Sequence, residues 1–265
     1  MPADLFETFQ LGDLTLANRM VMAPMTRNRA DADGVVPPLM VRYYAQRASA
    51  GLIVTESAPV SPGAIGYPFT PGAFSDAQAA GWLRLTNAVH SAGGRVFIQL
   101  QHCGRISHPS LQPDGATPIA PSAIRPDGQA VTYAGMQDFV TPRALETGEI
   151  PGIVEEFRHA AEIARRAGFD GVEVHGANGY LIDQFPENGF NSMSDSDPQA
   201  HFGYFFEQLA GRGLAYLHVL EGDMMTKASA VDYRALRASF DGPYIANNGY
   251  DLARARTAIE SGAVE

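Results

Sequence analysis

The sequence predicts an α/β fold on a parallel sheet, either closed as a β/α barrel or open as a doubly wound sheet. Short apolar runs bounded by turn residues recur along the chain, helical patterns separate them, and no shift in composition marks a second domain. A length of 265 residues suits one large domain with a substantial core, so residues 1–265 are read as a single domain.

The opening stretch FETFQLGDLTLANR (6–19) reads as a short hairpin able to plug the bottom of a barrel. RMVMAPM (19–25) is the first buried strand, followed by the helical pattern PPLMVRYYAQRAS (37–49). AGLIVTES (50–57) is the second strand. The helix after it, 75–93, has Ser75 to cap its start and Gly93 to end it. GRVFIQL (94–100) is the third strand. A Pro/Gly/Ser-rich excursion over 101–148 follows, long enough to read as an active-site cover, with a plain surface insertion as the alternative. The helix 149–168 then leads into the fourth strand, FDGVEVH (169–175). Two more units continue the rhythm: AHFGYFFEQLAGRG before LAYLHVLEG (214–222), and DYRALRASFD before GPYIANNGY (242–250), with a last helix from Asp251.

Composition excludes several function classes. The net charge is −10 and Lys227 is the only lysine, so the chain repels nucleic-acid phosphates. No apolar run reaches the roughly 20 residues that span a bilayer, which argues against a membrane protein. The N-terminus lacks the basic start and apolar segment of a secretory signal, so a cytoplasmic location is expected. Cys103 is the only cysteine; an internal disulfide and a multi-thiolate zinc site are excluded, and the thiol reads as packed and inert rather than nucleophilic. His102, His108 and His175 are too scattered for a metal site, and there is no G-x-S-x-G elbow of a serine hydrolase.

In a β/α barrel the chemistry sits at the C-terminal ends of the strands. Here those ends are polar: Pro24, Met25, Thr26 and Arg27 after the first strand, Gln99, Gln101, His102 and Arg105 at the third, and His175, Asn178 and Tyr180 at the fourth. His175 and Asn178 can donate to one oxygen and so stabilise negative charge developing on a carbonyl, and Tyr180 offers a proton of high pKa. The plainer reading of HGANGY is a tight turn whose Gly and Asn serve the backbone.

The segments APMTR, QLQHCGRISH, VEVHGANGYLIDQF, MSDSDP and ANNGYD resemble, in that order, segments of the old yellow enzyme family of FMN-dependent ene-reductases. The resemblance implies a TIM (β/α)8 barrel holding FMN at its mouth. Thr26 then tunes the isoalloxazine edge, where another branch of the family carries cysteine. Pro24, Met25 and Ser57 neighbour the ring, Gln99 reads its pyrimidine edge, and Asn248 and Gly249 belong to the phosphate clamp. His175 and Asn178 grip the substrate oxygen, Tyr180 protonates, and Tyr67 and Gln101 line the substrate face. Gln101 stands where many members carry a large aromatic residue. NADPH or NADH is the implied reductant, and an enone, enal or nitro compound the substrate. The implied partners are such small molecules, with no nucleic acid or membrane, in a monomer or homodimer.

Two departures from the family pattern stand out. After LIDQF the family continues through a loop, a helix and a fifth strand carrying a flavin-directed arginine, and these are absent at Phe185–Pro186. After ESGAVE the family enters its eighth strand and the rest of the phosphate clamp. Six candidate strands are present, two short of a barrel. Two strands bury about ten apolar side chains at roughly 1.5–3 kcal/mol each, more than the ~5–15 kcal/mol that holds a domain folded. The readings left open are residues missing from the given sequence, a shortened variant with a rearranged or oligomer-completed sheet, and a nonstandard complete fold. A flavin-deficient remnant with a binding role is the alternative to the ene-reductase.

Overall fold

The computed structural model describes residues 4–185, 197–222 and 231–264. In chain order the elements are β1 (Phe9–Leu11), β2 (Leu14–Leu16), β3 (Val21–Met22), α1 (Pro38–Ala45), β4 (Leu52–Pro59), α2 (Asp76–Ser91) and β5 (Val96–Gln101). Next come β6 (Ile119–Ala120), β7 (Gln129–Thr132), β8 (Gly135–Asp138), β9 (Arg143–Ala144), α3 (Ile150–Arg166) and β10 (Gly171–Val174). The last are α4 (Pro198–Leu209), β11 (Leu217–Leu220), α5 (Tyr233–Ala238), β12 (Tyr244–Asn247) and α6 (Leu252–Glu260). The expected strands are β3, β4, β5, β10, β11 and β12. The segment around Phe185–Pro186 that carries the first departure lies, from Pro186 onward, outside the described residues, as does most of MSDSDP.

The chain divides into two compact units: Met22–Ser49 with Ile53–Ser194, and Met1–Val21 with Ala50–Leu52 and Asp195–Glu265. In the larger unit a four-stranded sheet runs in the order β10-β5-β4-β3. Every residue of β4 and β5 is buried, as expected of parallel strands covered on both faces. β3 is shorter than its apolar run because Pro24 has no N–H for a ladder. β10 is the outermost strand in this order, and Val172 and Val174 stay 39% and 53% exposed, unlike the uniformly buried strand its sequence suggests. Gly171 is required where β10 meets β5, since a Cβ there would lie 2.4 Å from the Phe97 ring.

Helix α2 starts in a capping box: Gln78 N–H donates to Ser75 Oγ at 3.2 Å and Ser75 N–H to Gln78 Oε1 at 3.1 Å, together contributing about 1 kcal/mol. Its Trp82 is fully buried and donates to Gly72 O at 2.8 Å. The excursion is ordered rather than a bare loop. It contains the antiparallel pair β7–β8, in register from Gln129↔Asp138 to Thr132↔Gly135, and the short parallel pair β6–β9.

The smaller unit contains the expected N-terminal hairpin, β1 against β2, turning at Gly12 with φ +54°. β11 and β12 pair in parallel from Leu217↔Tyr244 to Leu220↔Asn247. They pack with α4 and α5 around Phe206, Leu236, Phe240 and Tyr244. Asp197, Asp232 and Asp251 cap α4, α5 and α6, each accepting a backbone N–H with its side chain.

Candidate active site

Pairing of β5 with β10 sets the heart of the site. Glu173 lies opposite Gln99 and Val174 opposite Leu100, and His175 N–H extends the ladder to Leu100 O at 2.9 Å. His175 is thereby delivered, buried, to the strand's C-terminal end. The chain then turns through two successive left-handed residues, Asn178 at φ +59° and Gly179 at φ +75°. Asparagine is among the few side-chain-bearing residues that tolerate this conformation, which explains the Asn-Gly pair. The turn reading of HGANGY holds for the backbone of Asn178 and Gly179, and it does not exclude a chemical role for the side chains of the same stretch. The Asn178 Oδ1 is buried without a hydrogen-bond partner among the described residues.

Tyr180 follows the turn. Its ring packs edge-on at 5.2 Å from that of His175 and 6.3 Å from that of Tyr67, and the two tyrosine hydroxyls lie 3.0 Å apart. Burial raises the Tyr180 pKa well above the ordinary tyrosine range, and the neighbouring Tyr67 adds to the shift. Burial likewise pushes Tyr67 up to about 12. Both phenols therefore stay protonated through neutral pH. Tyr67 and Tyr180 pack against Ile106, Ala130 and Phe139, three residues of the excursion. Between Tyr67, Ile106, Gln129 and Phe139 lies a cavity of about 190 Å³.

The neighbouring strands supply the second half of the expected set. Pro24, Met25 and Thr26 follow β3; Met25 is 57% exposed and Thr26 is exposed as well. The β4–β5 register shifts between Val54 and Ser57, and this irregularity sets Ser57 opposite Gln99. Ser57 Oγ donates to Gln99 Oε1, and Gln99 Nε2 donates to Glu173 Oε1 at 2.7 Å. Gln101 is buried and donates from Nε2 to Cys103 Sγ, 2.8 Å away. Cys103 is packed as expected, its thiol pushed up to about 12 by burial and therefore not a thiolate. Asn248 and Gly249 belong to the smaller unit, in the loop after β12. Asn248, at φ +85°, donates from Nδ2 to Glu221 O at 2.8 Å, and Arg254 donates to the carbonyls of both residues at 3.3–3.4 Å.

Two groups of polar residues near these positions have no counterpart in the sequence reading. Glu56, in the irregular part of β4, accepts Arg27 N–H at 3.1 Å and the Tyr44 hydroxyl at 3.2 Å, which fixes the backbone next to Thr26. Burial raises its pKa against the pull of those donors. The other group is Asp183–Gln184, directly after Leu181–Ile182. The available signal in each case was an acid or amide inside an apolar run, LIVTES or YLIDQF.

Comparison with known proteins agrees with this architecture. The family model described as NADH:flavin oxidoreductase / NADH oxidase matches residues 4–197. A probable flavin mononucleotide-dependent alkene reductase of Leishmania infantum is 35% identical over 304 residues, covering 96% of this chain and 83% of that protein. A putative 12-oxophytodienoate reductase 4 of Oryza sativa subsp. japonica is 36% identical over 314 residues, covering 97% and 80%. Among solved structures, morphinone reductase superposes with a TM-score of 0.92 at 39% identity, covering all of this chain and 84% of that one. The old yellow enzyme homologue from Zymomonas mobilis does so at 0.94 and 34%, covering 99% and 87%. Both aligned lengths exceed 265 residues, so these relatives carry internal residues that the present sequence lacks. The fold is the TIM-barrel fold of these proteins, represented by the six strands above. The chain belongs to the NADH:flavin oxidoreductase / NADH oxidase family, the family of the old yellow enzymes.

Proposed function

We propose that the chain is an FMN-dependent, NAD(P)H-driven ene-reductase acting on α,β-unsaturated carbonyl or nitro compounds. The observation that carries the reading is the Asn178 amide, whose buried Oδ1 has no hydrogen-bond partner among the described residues, in the same short stretch as His175 and the high-pKa phenol of Tyr180 packed on it. A buried polar group left unpaired is unfavourable by roughly 1–3 kcal/mol, and turning this amide over places its NH2 where a ligand oxygen can accept from it.

The residues fit FMN by the chemistry of their donor set. Thr26 offers an exposed hydroxyl, and the Ser57 hydroxyl and Gln99 amide, which bond to each other and to Glu173, are of the donor and acceptor types that an isoalloxazine pyrimidine edge would take up in their place. Exposed Met25 beside Pro24 gives an apolar surface for the ring; the phosphate role of Asn248 and Gly249 rests on the resemblance alone. When bound, FMN supplies the two-electron chemistry, accepting hydride from the nicotinamide and passing it to the substrate.

The protein's own residues do the rest. His175 and the Asn178 amide donate to the substrate oxygen, hold the alkene in place and draw electron density from its β-carbon. Tyr180 delivers a proton to the α-carbon, and its raised pKa keeps that proton in place at working pH. Tyr67, hydrogen-bonded to Tyr180, orients the phenol and walls the substrate side. The substrate is a small neutral molecule, and neither nucleic acid nor membrane takes part. Among the described residues no helix is long and apolar enough to cross a membrane. A cytoplasmic monomer or homodimer completes the reading.

The test adds FMN to the purified chain, then NADPH or NADH, then cyclohexenone, under argon. Uptake of a flavin absorbance band that bleaches with the nicotinamide and returns with the enone supports the proposal. A chain that takes up FMN but never returns the band on enone addition contradicts it.

A further inference from the structure

Gly179 lies between the two residues assigned to substrate chemistry, Asn178 and Tyr180, and both polar atoms of its backbone are held by consecutive side chains. Asp183 Oδ2 accepts Gly179 N–H at 2.7 Å, and Gln184 Nε2 donates to Gly179 O at 2.8 Å. Gln184 does more than close this turn. The same Nε2 donates to Cys103 O at 3.1 Å, and its Oε1 accepts Arg105 N–H at 3.2 Å. One buried amide therefore ties the loop after β10 to the loop after β5. Backbone contacts run in parallel, with Leu181 N–H donating to His102 O at 2.9 Å.

The loop after β5 is shaped to receive that amide. A Cβ on Gly104 would lie 2.2 Å from Gln184 Oε1, and Gly104 adopts φ +58°. Its N–H is turned onto His102 Nδ1 at 3.0 Å, and burial pushes His102 down to about 4, leaving a neutral ring able to accept. The glycine in QHCGR and the glutamine in LIDQF thus form one contact, although 80 residues separate them in sequence.

We infer that Gln184 is a positioning residue for the reaction: it sets where the Asn178 amide and the Tyr180 hydroxyl point by fixing Gly179 to the loop after β5. A left-handed pair such as Asn178–Gly179 has little intrinsic preference for one orientation of its flanking residues, so an external tether must choose it. Hydrogen bonds from a buried amide to two carbonyls and one N–H do so with little freedom left.

This inference rests on the ene-reductase reading above, and the test separates the two. The FMN-loaded parent, Gln184→Met and Gln184→Glu are compared. Methionine preserves length and removes every polar atom. Glutamate keeps the acceptor for Arg105 N–H and regains a donor only when protonated. Three quantities are read: the Kd of cyclohexanone, which cannot be reduced, from its perturbation of the flavin absorbance; the rate at which photoreduced enzyme is reoxidised by cyclohexenone; and the rate at which it is reoxidised by dioxygen. Hydrogen exchange of the flavin-free chain over 176–184 is measured alongside.

For Gln184→Met the expected result is at least tenfold weaker cyclohexanone binding and at least tenfold slower reoxidation by the enone. FMN content and reoxidation by dioxygen stay within twofold, and exchange over 176–184 is faster. Gln184→Glu, compared at each pH with the parent at the same pH so that the titration of Asp183 common to both cancels, behaves like the methionine variant at pH 8 and recovers toward the parent at pH 5.5. If the methionine variant does not fold, the pH response of the glutamate variant decides. Enone readouts within twofold of the parent overturn the inference, as does a parallel loss of FMN and dioxygen reactivity, or a glutamate variant without pH response. A parent that does not reduce cyclohexenone overturns the ene-reductase reading instead.

Discussion

Replacing Asn178 separates the grip on the substrate oxygen from the stability of the loop that carries it. Its Oδ1 has no partner within the described residues, so trimming the side chain removes no hydrogen bond from that atom. The backbone responds differently. At φ +59° alanine is strained by roughly 1–2 kcal/mol, whereas glycine adopts the conformation freely. Loss of a donor to an oxyanion-like oxygen raises the barrier by about 3–4 kcal/mol, or ~10²–10³ in rate. Asn178→Ala and Asn178→Gly should therefore fall together in kcat/KM for cyclohexenone by about 10²–10³. Only the alanine variant should also lose stability, by about 1–2 kcal/mol in urea unfolding. Anaerobic turnover assays and denaturant titrations on both variants read the two effects. Retention of activity within tenfold by either variant, or activities that track the two stabilities, would refute the assigned role.

Tyr180→Phe should slow reoxidation of the reduced enzyme by enone about 10²–10⁴-fold while leaving binding of cyclohexanone within fivefold, because a general acid acts on the chemical step; equal losses in both would contradict it. Asp183 gives a pH signature. Burial pushes its carboxyl up to about 6 from 3.8, so the folded state holds the proton more tightly than the unfolded chain. Stability should then fall as pH rises from about 4 to 6, by at most about 3 kcal/mol, and stay lowered above that range. Asp183→Asn, which keeps an acceptor for Gly179 N–H, should flatten this slope and be more stable than the parent at pH 8; urea unfolding at four pH values checks it. Ser75→Ala should lower stability by about 1 kcal/mol without altering turnover, since the capping box stabilises the start of α2 only.

What the sequence reveals about this fold follows from how local each cause is. β4 and β5 are legible because strands buried on both faces must be continuously apolar, and LIV and VFI satisfy that anywhere in the chain. The exposure of Val172 and Val174 was not, because it depends on which neighbour lies beyond β10. The β7–β8 hairpin within 101–148 is not legible because its turn at Tyr133–Ala134 lacks the Asn-Gly or Asp-Gly signal of a two-residue loop. In the site, His175, Asn178 and Tyr180 share one short stretch and announce themselves. Glu56 and Gln184 act on partners 29 and 81 residues away, a relation that only the folded chain supplies. The hydrogen bond from Gln101 to Cys103, two residues on, is likewise a matter of side-chain rotamer that the sequence does not state.

The central claim is that one substrate oxygen is held jointly by His175 and Asn178 over the flavin. A crystal structure of the FMN-loaded protein with bound p-hydroxybenzaldehyde tests it most directly. The account predicts the ligand stacked on the isoalloxazine, with a single oxygen about 3 Å from both a His175 ring nitrogen and the Asn178 amide nitrogen. A ligand oxygen held by any other pair of residues, with Asn178 turned away from it, contradicts the account.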